Sequence, residues 1–599
     1  MRLCIGLTLF LVLQACRHPL VIVGQGDIVD LNGGGFGCTL EQFESGDAAC
    51  DNEVQGDYFV NYTAVPREGW RFERWDGICS NESVDDNCRI DVSFDAVLAW
   101  NEQSNGTPAP PLTAIFEPLP MVMNTAHDVV VVGAGSAGLY ATRTLQALGY
   151  DVLLIEATDR VGGRVKSATL GDMRVELGAE EHYLARGGNP VWPAILNRYG
   201  ESIYTRSYQG IDVYSMDNGT GTCWTKADAA QPCSADADVT AVDEFWNWYW
   251  REDLHQDADA SLADNVLRDF GVGPGDRAYH IYDSSIAGGS FATNLNRLGA
   301  RSLARQSSAW GLSDGIRVLA DKDLGYSDAL NTLWWNDVVA TGEVLLNTPV
   351  TRIDTSGSDV VVTDANGSQH AARQVIVTVS IGVLQDELID FIPDLPSNVV
   401  AAYNGIGIDD GMKVPMRFNA AWWETEGEPM GWMVTEGVAG ACWAPSDYKQ
   451  NSSSHILMCY PMGENGRTLT AIAEAAGGGE AGDAAIIAAV LDDLDGTLPQ
   501  APRQASETYI EGLVQDWGAA PYTRGVYSYA APGSFETVND NLRRDLRTPV
   551  AGNRVFFAGE ATSVRNSATV VGALQEGERA ANDVHAINGN PGNSPPPIR

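Results

Sequence analysis

The stretch Asp128–Arg164, DVVVVGAGSAGLYATRTLQALGYDVLLIEATDRVGGR, constrains the fold more than any other part of the chain. Its β-branched run Val129–Val132 shows no polar alternation and reads as a strand buried on both faces, as in a parallel sheet. Gly133, Gly135 and Gly138 follow as G-x-G-x-x-G. Ala137, Ala141, Leu145 and Leu148 then recur at helical spacing before a second apolar run, Val152–Ile155, which ends in Glu156. The first glycine permits a sharp turn, the second lets backbone approach a pyrophosphate, and the third lets helix pack close to strand. The helix start, with Ser136 in its first turn, offers unpaired N–H groups and a positive dipole end to that pyrophosphate. Glu156 is placed to meet ribose hydroxyls. A G-x-G-x-x-G alone is a weak signal. Strand, glycines, helix, strand and acid in this order specify a dinucleotide site.

The fingerprint does not start the protein. Arg2 followed by the apolar Leu3–Leu13 reads as an export signal over residues 1–16, too short to span a bilayer. Leu13-Gln14-Ala15-Cys16 resembles a bacterial lipobox, with Gln14 replacing the usual small or aliphatic residue, so a lipid on Cys16 is one option beside simple secretion. Periplasmic, cell-surface and secreted locations all remain open. Apart from Cys4 and Cys16, the cysteines form close couples: Cys38/Cys50, Cys79/Cys88, Cys223/Cys233 and Cys442/Cys459. An even number in an exported chain points to disulfides, although spacing alone does not fix their connectivity. No CxxC pair and only 8 scattered His predict no metal site. The net charge of −41 excludes the basic footprint of a nucleic-acid binder.

Residues 17–120 are rich in Gly, Asp, Asn and short alternating stretches such as Tyr58–Val65, which predicts a small β-rich accessory module stapled by disulfides. YTAVPREGWRFERWDGIC, CRIDV and LTAIFEP within it resemble the small β repeat modules of bacterial surface and secreted proteins, which are thought to serve attachment or spacing. The linker to the next domain is read at Glu117–Thr125. From His127 onward strand and helix signals alternate: residues 190–335 read as helical and Trp-rich, Val344–Val379 as strands with a turn at Ser356–Ser358, and Arg554–Asn582 as strand, turn and helix. Residues 591–599 read as a disordered tail. Nucleotide-type signals at the start, middle and end of 127–590 mean that its domains interleave.

Several segments together carry a family resemblance. The fingerprint through GGR, ELGAEEHYLARGGNPVW, VIVTVSIGVLQ, GMKVPMRF, WGAAPYTRGVYSYAAPGS and RVFFAGEATSVRNSATVVGALQEGERAA look like the flavin-dependent amine oxidases, which include monoamine oxidases, polyamine oxidases and lysine-specific demethylases. The resemblance runs from about residue 127 to 587 and leans to the polyamine oxidase branch. It implies an α/β fold: a Rossmann-like FAD-binding domain (about 127–185, 340–390 and 545–590) interleaved with an α+β substrate domain (about 190–335 and 395–535), preceded by the small disulfide-stapled all-β module. A single fingerprint leaves no second cradle for a nicotinamide dinucleotide, which agrees with FAD as the cofactor.

Carried over by position, the resemblance places Gly133, Gly135, Ser136 and Gly138 at the pyrophosphate, Glu156 at the adenosine ribose and Arg164 near the phosphates. Val350 would meet the adenine, Glu560 the ribityl and phosphate portion, and Gly178, Ala179, Thr569 and Val570 the flavin ring. Lys413 would act at the flavin during reoxidation, Trp517 would pack beside the ring, and Tyr527 would form one wall of an aromatic cage. Thr569 stands where monoamine oxidases have the opposite cage tyrosine, and Val526 where they have a cysteine that bonds FAD, so FAD is expected to be noncovalent. Glu180, Glu181, His182 and Thr569 are the expected substrate contacts, the acids suited to a dicationic or polycationic amine.

The implied reaction moves a hydride from the amine α-carbon to flavin N5, giving an imine or aldehyde and, with dioxygen, hydrogen peroxide. An L-amino-acid oxidase of the same fold is the alternative, with Arg206, Arg301 or Arg305 as carboxylate clamp. A surface attachment protein with an incidental oxidase domain is a further one.

Overall fold

The computed structural model describes residues 16–54, 58–67, 70–77, 79, 87–93, 111–118, 127–183, 188–206, 211–215, 222–225, 232–240, 245, 248, 260–310, 316–424, 430–497 and 503–588. Residues 1–15 of the expected signal segment, the linker after Pro118 up to residue 126 and the C-terminal tail lie outside these residues. The chain divides into two compact units, one of residues 1–122 with 583–592 and the other of residues 123–582 with 593–599.

In the first unit, four strands run in the order Asp51–Val54, Cys16–Val23, Leu112–Pro118, Trp70–Asp76, and three in the order Gly26–Asp30, Tyr58–Pro66, Asn87–Val92. Tyr58, Val60, Tyr62 and Ala64 alternate inward along one strand, as the sequence pattern requires, and pack with Leu20, Trp75 and Phe116. Disulfides join Cys38 to Cys50 and Cys79 to Cys88. The unit is not all-β: Leu40–Ser45 is a helix, because Thr39 and Gln42 form a reciprocal capping box at its start.

The second unit is built on two large sheets. In the first, the strand order is Glu343–Leu345, Val152–Ile155, His127–Val132, Gln369–Val377, Val360–Asp364, Val350–Asp354, Asp390–Ile392, and Val555–Phe557 also pairs with Gln369–Val377. The strands around the fingerprint are parallel, and Val129–Val132 are all but fully buried, matching their unalternating apolar run. The hairpin around Ser356–Ser358 forms as its pattern predicts. Sheet order brings segments about 200 and 400 residues downstream beside the fingerprint strand, so this layer is assembled from three separated stretches.

The second sheet has the order Cys223–Trp224, Ile211–Ser215, Met430–Thr435, Ala441–Trp443, His455–Tyr460, Met412–Phe418, Tyr509–Gly512. One face, with Met412, Val414, Met416, Phe418, Cys442, Leu457 and Cys459, packs on the helices Glu464–Ala475 and Gly479–Asp495 through Leu469, Ile486, Ile487 and Val490. Reading residues 190–335 as purely helical is corrected here, because Ile203–Arg206, Ile211–Ser215, Cys223–Trp224 and Ile316–Leu319 are strands. Their short length and mixed composition hid them; tertiary pairing, not local propensity, makes them strands. Disulfides join Cys223 to Cys233 and Cys442 to Cys459. Among the described residues no helix is long and apolar enough to cross a membrane, and no metal-ligating cluster occurs.

Candidate active site

A cavity of about 800 Å³ runs from the fingerprint turn to the second sheet. That is toward the upper end of small-molecule sites, roughly 300–1,000 Å³. At one end lie Gly133, Gly135 and Ser136, at the start of the helix Ser136–Ala147. Gly133 has φ +99°, a conformation that glycine adopts freely. A Cβ on Gly138 would stand 1.9 Å from the Gly133 carbonyl oxygen, so only glycine lets the helix lie this close. A Cβ on Gly135 would meet nothing nearer than 4.0 Å, leaving its backbone approachable from the cavity. Ser136 carries a buried hydroxyl with no hydrogen-bond partner in the described protein, directly at the helix N-terminus. An unsatisfied donor there fits an anionic phosphate, as does the dipole.

Glu156 lines the cavity, but its carboxylate also accepts from Ala134 N at 2.7 Å, Thr158 N at 2.9 Å and Thr158 Oγ at 2.7 Å. It therefore holds the fingerprint loop to the end of the second strand as well as facing the cavity. Val350 and Thr348–Pro349 line the same end.

In the middle, Glu560 is a buried hub. It accepts from Arg164 at 3.0 Å, Ser528 Oγ at 2.6 Å, Ser528 N at 3.2 Å and Ala568 N at 2.9 Å. Burial alone would raise its pKa; the Arg164 and Arg543 charges and these hydrogen bonds outweigh it, so the carboxyl is held below its ordinary range. Gly178 passes so near Arg164 that a Cβ would meet its carbonyl oxygen at 1.9 Å, and Ala179 N donates to that oxygen at 3.0 Å. Val570 lines the cavity at the start of the helix Val570–Ile587.

The far end is aromatic. Lys413 Nζ donates to Glu180 Oε2 at 3.1 Å and lies 5.0 Å from the Trp443 ring centre and 6.0 Å from that of Tyr460. Glu180 also accepts from Trp443 Nε1 at 3.3 Å and from the Tyr448 hydroxyl. Tyr460 donates to the Tyr527 hydroxyl at 3.3 Å, and burial raises the pKa of both phenols. Trp517 is fixed by its Nε1 donating to Leu177 O at 2.8 Å. Glu181 lines the cavity, accepts from the Tyr183 hydroxyl, and acts electrostatically on both Tyr460 and Tyr527.

Three sequence expectations are refined here. His182, expected as a substrate contact, is 1% exposed and lies outside the cavity lining, its ring centre 3.9 Å from that of Tyr326 with the planes tilted by 51°. Burial lowers its pKa to about 3, which keeps it neutral. Glu180 lines the cavity, and its carboxylate also accepts from Lys413, Trp443 and Tyr448. Thr569 lines the cavity but uses its hydroxyl on Asn566 O (2.6 Å) and Gly572 N (3.0 Å) to start the last helix; the residue that meets Tyr527 is Tyr460. Trp432, Trp443 and Tyr460 were not found from sequence, because their strands are apolar on both faces and show no alternation, and Tyr448 was not found because it lies in the short turn after Pro445–Asp447. The Cys442/Cys459 couple was the available signal, since a cross-strand pair fixes which neighbours share the other face. Arg301 and Arg305 both pair with Glu536 and lie outside the lining; the Arg206 side chain lies outside the described residues.

The family profile described as "Flavin containing amine oxidoreductase" matches residues 136–585. "Probable polyamine oxidase 4" of Arabidopsis thaliana is 26% identical over 475 residues, covering 76% of this chain and 87% of its own. "Polyamine oxidase 2" of the same plant is 28% identical over 468 residues, with the same coverage of 76% and 87%. Among solved structures, putrescine oxidase bound to putrescine is similar with a TM-score of 0.58 at 21% identity, covering 77% of this chain and 99% of that one. At that identity the likeness is one of fold.

Proposed function

This chain belongs to the flavin-containing amine oxidoreductases, with FAD as cofactor, and on that premise we propose that it oxidises amines carrying a second positive charge, such as diamines or polyamines, and passes the electrons to dioxygen. The observation that carries the substrate class is Glu181, a carboxylate in the cavity wall beside the Tyr460–Tyr527 pair. An ammonium held there would gain a charge-assisted hydrogen bond in a partly desolvated site.

The residues fit FAD. The open backbone at Gly135 and the unpartnered Ser136 hydroxyl would take the pyrophosphate, Glu156 and Val350 the adenosine end, and Arg164 with Glu560 the central portion. When bound, FAD supplies the acceptor for the hydride that leaves the amine α-carbon. The protein's part is orientation. Tyr460, Tyr527 and Trp443 form an apolar, aromatic wall that lowers the pKa of an ammonium placed against it, favouring the neutral amine that releases hydride. Glu181 keeps the distal ammonium charged and fixes which carbon faces the reacting end. Lys413, its charge balanced by Glu180, presents a cation to the wall where oxygen would be reduced. Val526 offers no nucleophile, which supports noncovalent FAD.

We read the enzyme as exported, on the strength of its N-terminal signal pattern and of disulfides, which persist in oxidising compartments. The test of function is peroxide release by flavin-loaded protein from spermidine, putrescine, tyramine and leucine. Turnover of the first two well above the others is expected; leucine as the best substrate would favour the amino-acid oxidase reading.

A further inference from the structure

We infer that the Cys442–Cys459 disulfide is a positioning element for catalysis, holding in register the two strands from which Trp443 and Tyr460 face the cavity; this rests on the amine-oxidase reading of that cavity. Cys442 and Cys459 are direct partners across the antiparallel pair Ala441–Trp443 and His455–Tyr460, are joined by a disulfide, and are each 0% exposed. Strand side chains alternate between faces. The two cysteines point into the core with Met412, Val414 and Leu457, which sends their neighbours Trp443 and Tyr460 to the opposite face, in the cavity wall. Lys413 shares that face, because Val414 is the register partner of Cys459. One covalent link on the core side thus lies directly behind the three groups that shape the aromatic end.

The need for such a link follows from the length of Ala441–Trp443, a strand of 3 residues. It contributes few ladder hydrogen bonds, and a slip of one residue would exchange its faces, taking Trp443 out of the wall and turning Cys442 into it. Core packing on one face and the Trp443 Nε1 hydrogen bond to Glu180 on the other oppose such a slip, and the disulfide adds a covalent constraint to them. A Cys442–Cys459 bond forbids it. Trp443 and Tyr460 then keep their ring centres 5.7 Å apart, and Tyr460 keeps its hydrogen bond to Tyr527. The Cys223–Cys233 disulfide belongs to a different core cluster, and neither cysteine nor its immediate described neighbours line the cavity. It serves as an internal control.

The test compares flavin-loaded wild type with Cys442→Ala/Cys459→Val, which approximately preserves core volume, and with Cys223→Ala/Cys233→Ala. Each is measured for FAD content, for kcat and KM on the best amine, and for hydrogen–deuterium exchange in peptides spanning residues 441–460. The first variant is expected to retain FAD, to lose about 10- to 100-fold in kcat/KM through misplacement of the reacting groups, and to exchange faster around Trp443 and Tyr460. The second should lose thermal stability while keeping wild-type kinetics and exchange in that segment. Wild-type kinetics and exchange in the Cys442/Cys459 variant would overturn the inference. If that variant does not fold, wild type produced under reducing conditions, with thiol titration confirming free Cys442 and Cys459, is measured the same way against the same outcomes. A wild type that oxidises no amine would overturn the functional reading instead, and the exchange measurement would still decide the role of the disulfide.

Discussion

Lys413 Nζ and Glu180 Oε2 form an ion pair at 3.1 Å with side chains only 7% and 6% exposed. The pair joins the strand Met412–Phe418 to the loop that follows Met173–Glu176, and Trp443 and Tyr448 complete the carboxylate's hydrogen bonds. A lysine in an apolar strand is costly unless paired, and here the partner arrives from 233 residues away.

Breaking this pair from one side leaves a buried charge. Lys413→Met is therefore expected to destabilise the protein by about 3–5 kcal/mol, while Lys413→Met/Glu180→Gln recovers most of that loss. Urea unfolding of the single and double variants checks it; a Lys413→Met protein as stable as wild type would show that the pair is not coupled. Both variants should also reoxidise more slowly with oxygen, because each removes the cation from the wall.

Gly138→Ala tests the fingerprint. The added methyl collides with backbone that has no flexible side chain to give way. Overpacking of this kind costs about 1–3 kcal/mol or more, and the helix start it displaces is the phosphate site. The expected protein is folded, less stable, and purified with little or no yellow colour. A full FAD complement, read from flavin absorbance per chain, would contradict the close-packing account.

Glu181→Gln separates substrate charge from substrate shape. A charged hydrogen bond is worth about 1.5–3 kcal/mol, so kcat/KM for putrescine or spermidine should fall by roughly 10- to 100-fold, with little change for a monoamine. Equal losses on both would mean that Glu181 supports the wall rather than binding a second ammonium.

Glu176 gives a pH signature. Burial, opposed by Lys449, Ser167 and the Tyr326 amide, raises its pKa from 4.5 to about 7. A carboxyl with a raised folded-state pKa contributes stability below its unfolded value, and that contribution is lost as pH rises from about 4.5 through 7. Glu176→Gln, whose carbonyl oxygen can still accept from the Tyr326 amide while its NH2 donates to the Ser167 hydroxyl, should flatten this fall. The gain in relative stability above pH 7 is on the order of 3 kcal/mol. Buried His182 pulls in the opposite direction, losing stability as pH falls from 6.5 toward about 3, so the difference curve between variant and wild type is the quantity to measure.

The parts legible in sequence were those where local chemistry and fold agree. Val129–Val132, Gly133, Gly135, Gly138 and the terminal FAGE block could be read because a buried parallel strand and a tight phosphate turn admit few alternatives. Glu560 and Arg164 were singled out, but not that they bind each other, since their contact closes a loop of 396 residues. The aromatic end was legible only at Lys413, Trp517 and Tyr527. Tyr460, Trp443 and Trp432 come from strands buried on both faces, where no period distinguishes cavity from core. His182 misled for a related reason: it follows Glu180 and Glu181 in a polar run, yet the chain turns there and its ring enters the core beside Tyr326. Ile203–Arg206 and Ile211–Ser215 were missed because they are completed by Ile316–Leu319 and Met430–Thr435, partners far along the chain.

The central claim is that the cavity binds FAD and that a multiply charged amine surrenders a hydride within it. Anaerobic mixing of the flavin-loaded protein with spermidine, putrescine, tyramine or leucine tests it without any contribution from oxygen chemistry. The account predicts that spermidine or putrescine bleaches the oxidised flavin absorbance rapidly and completely, that tyramine and leucine do so far more slowly, and that Glu181→Gln narrows the gap. Bleaching by leucine alone, or by none of the four, would contradict it.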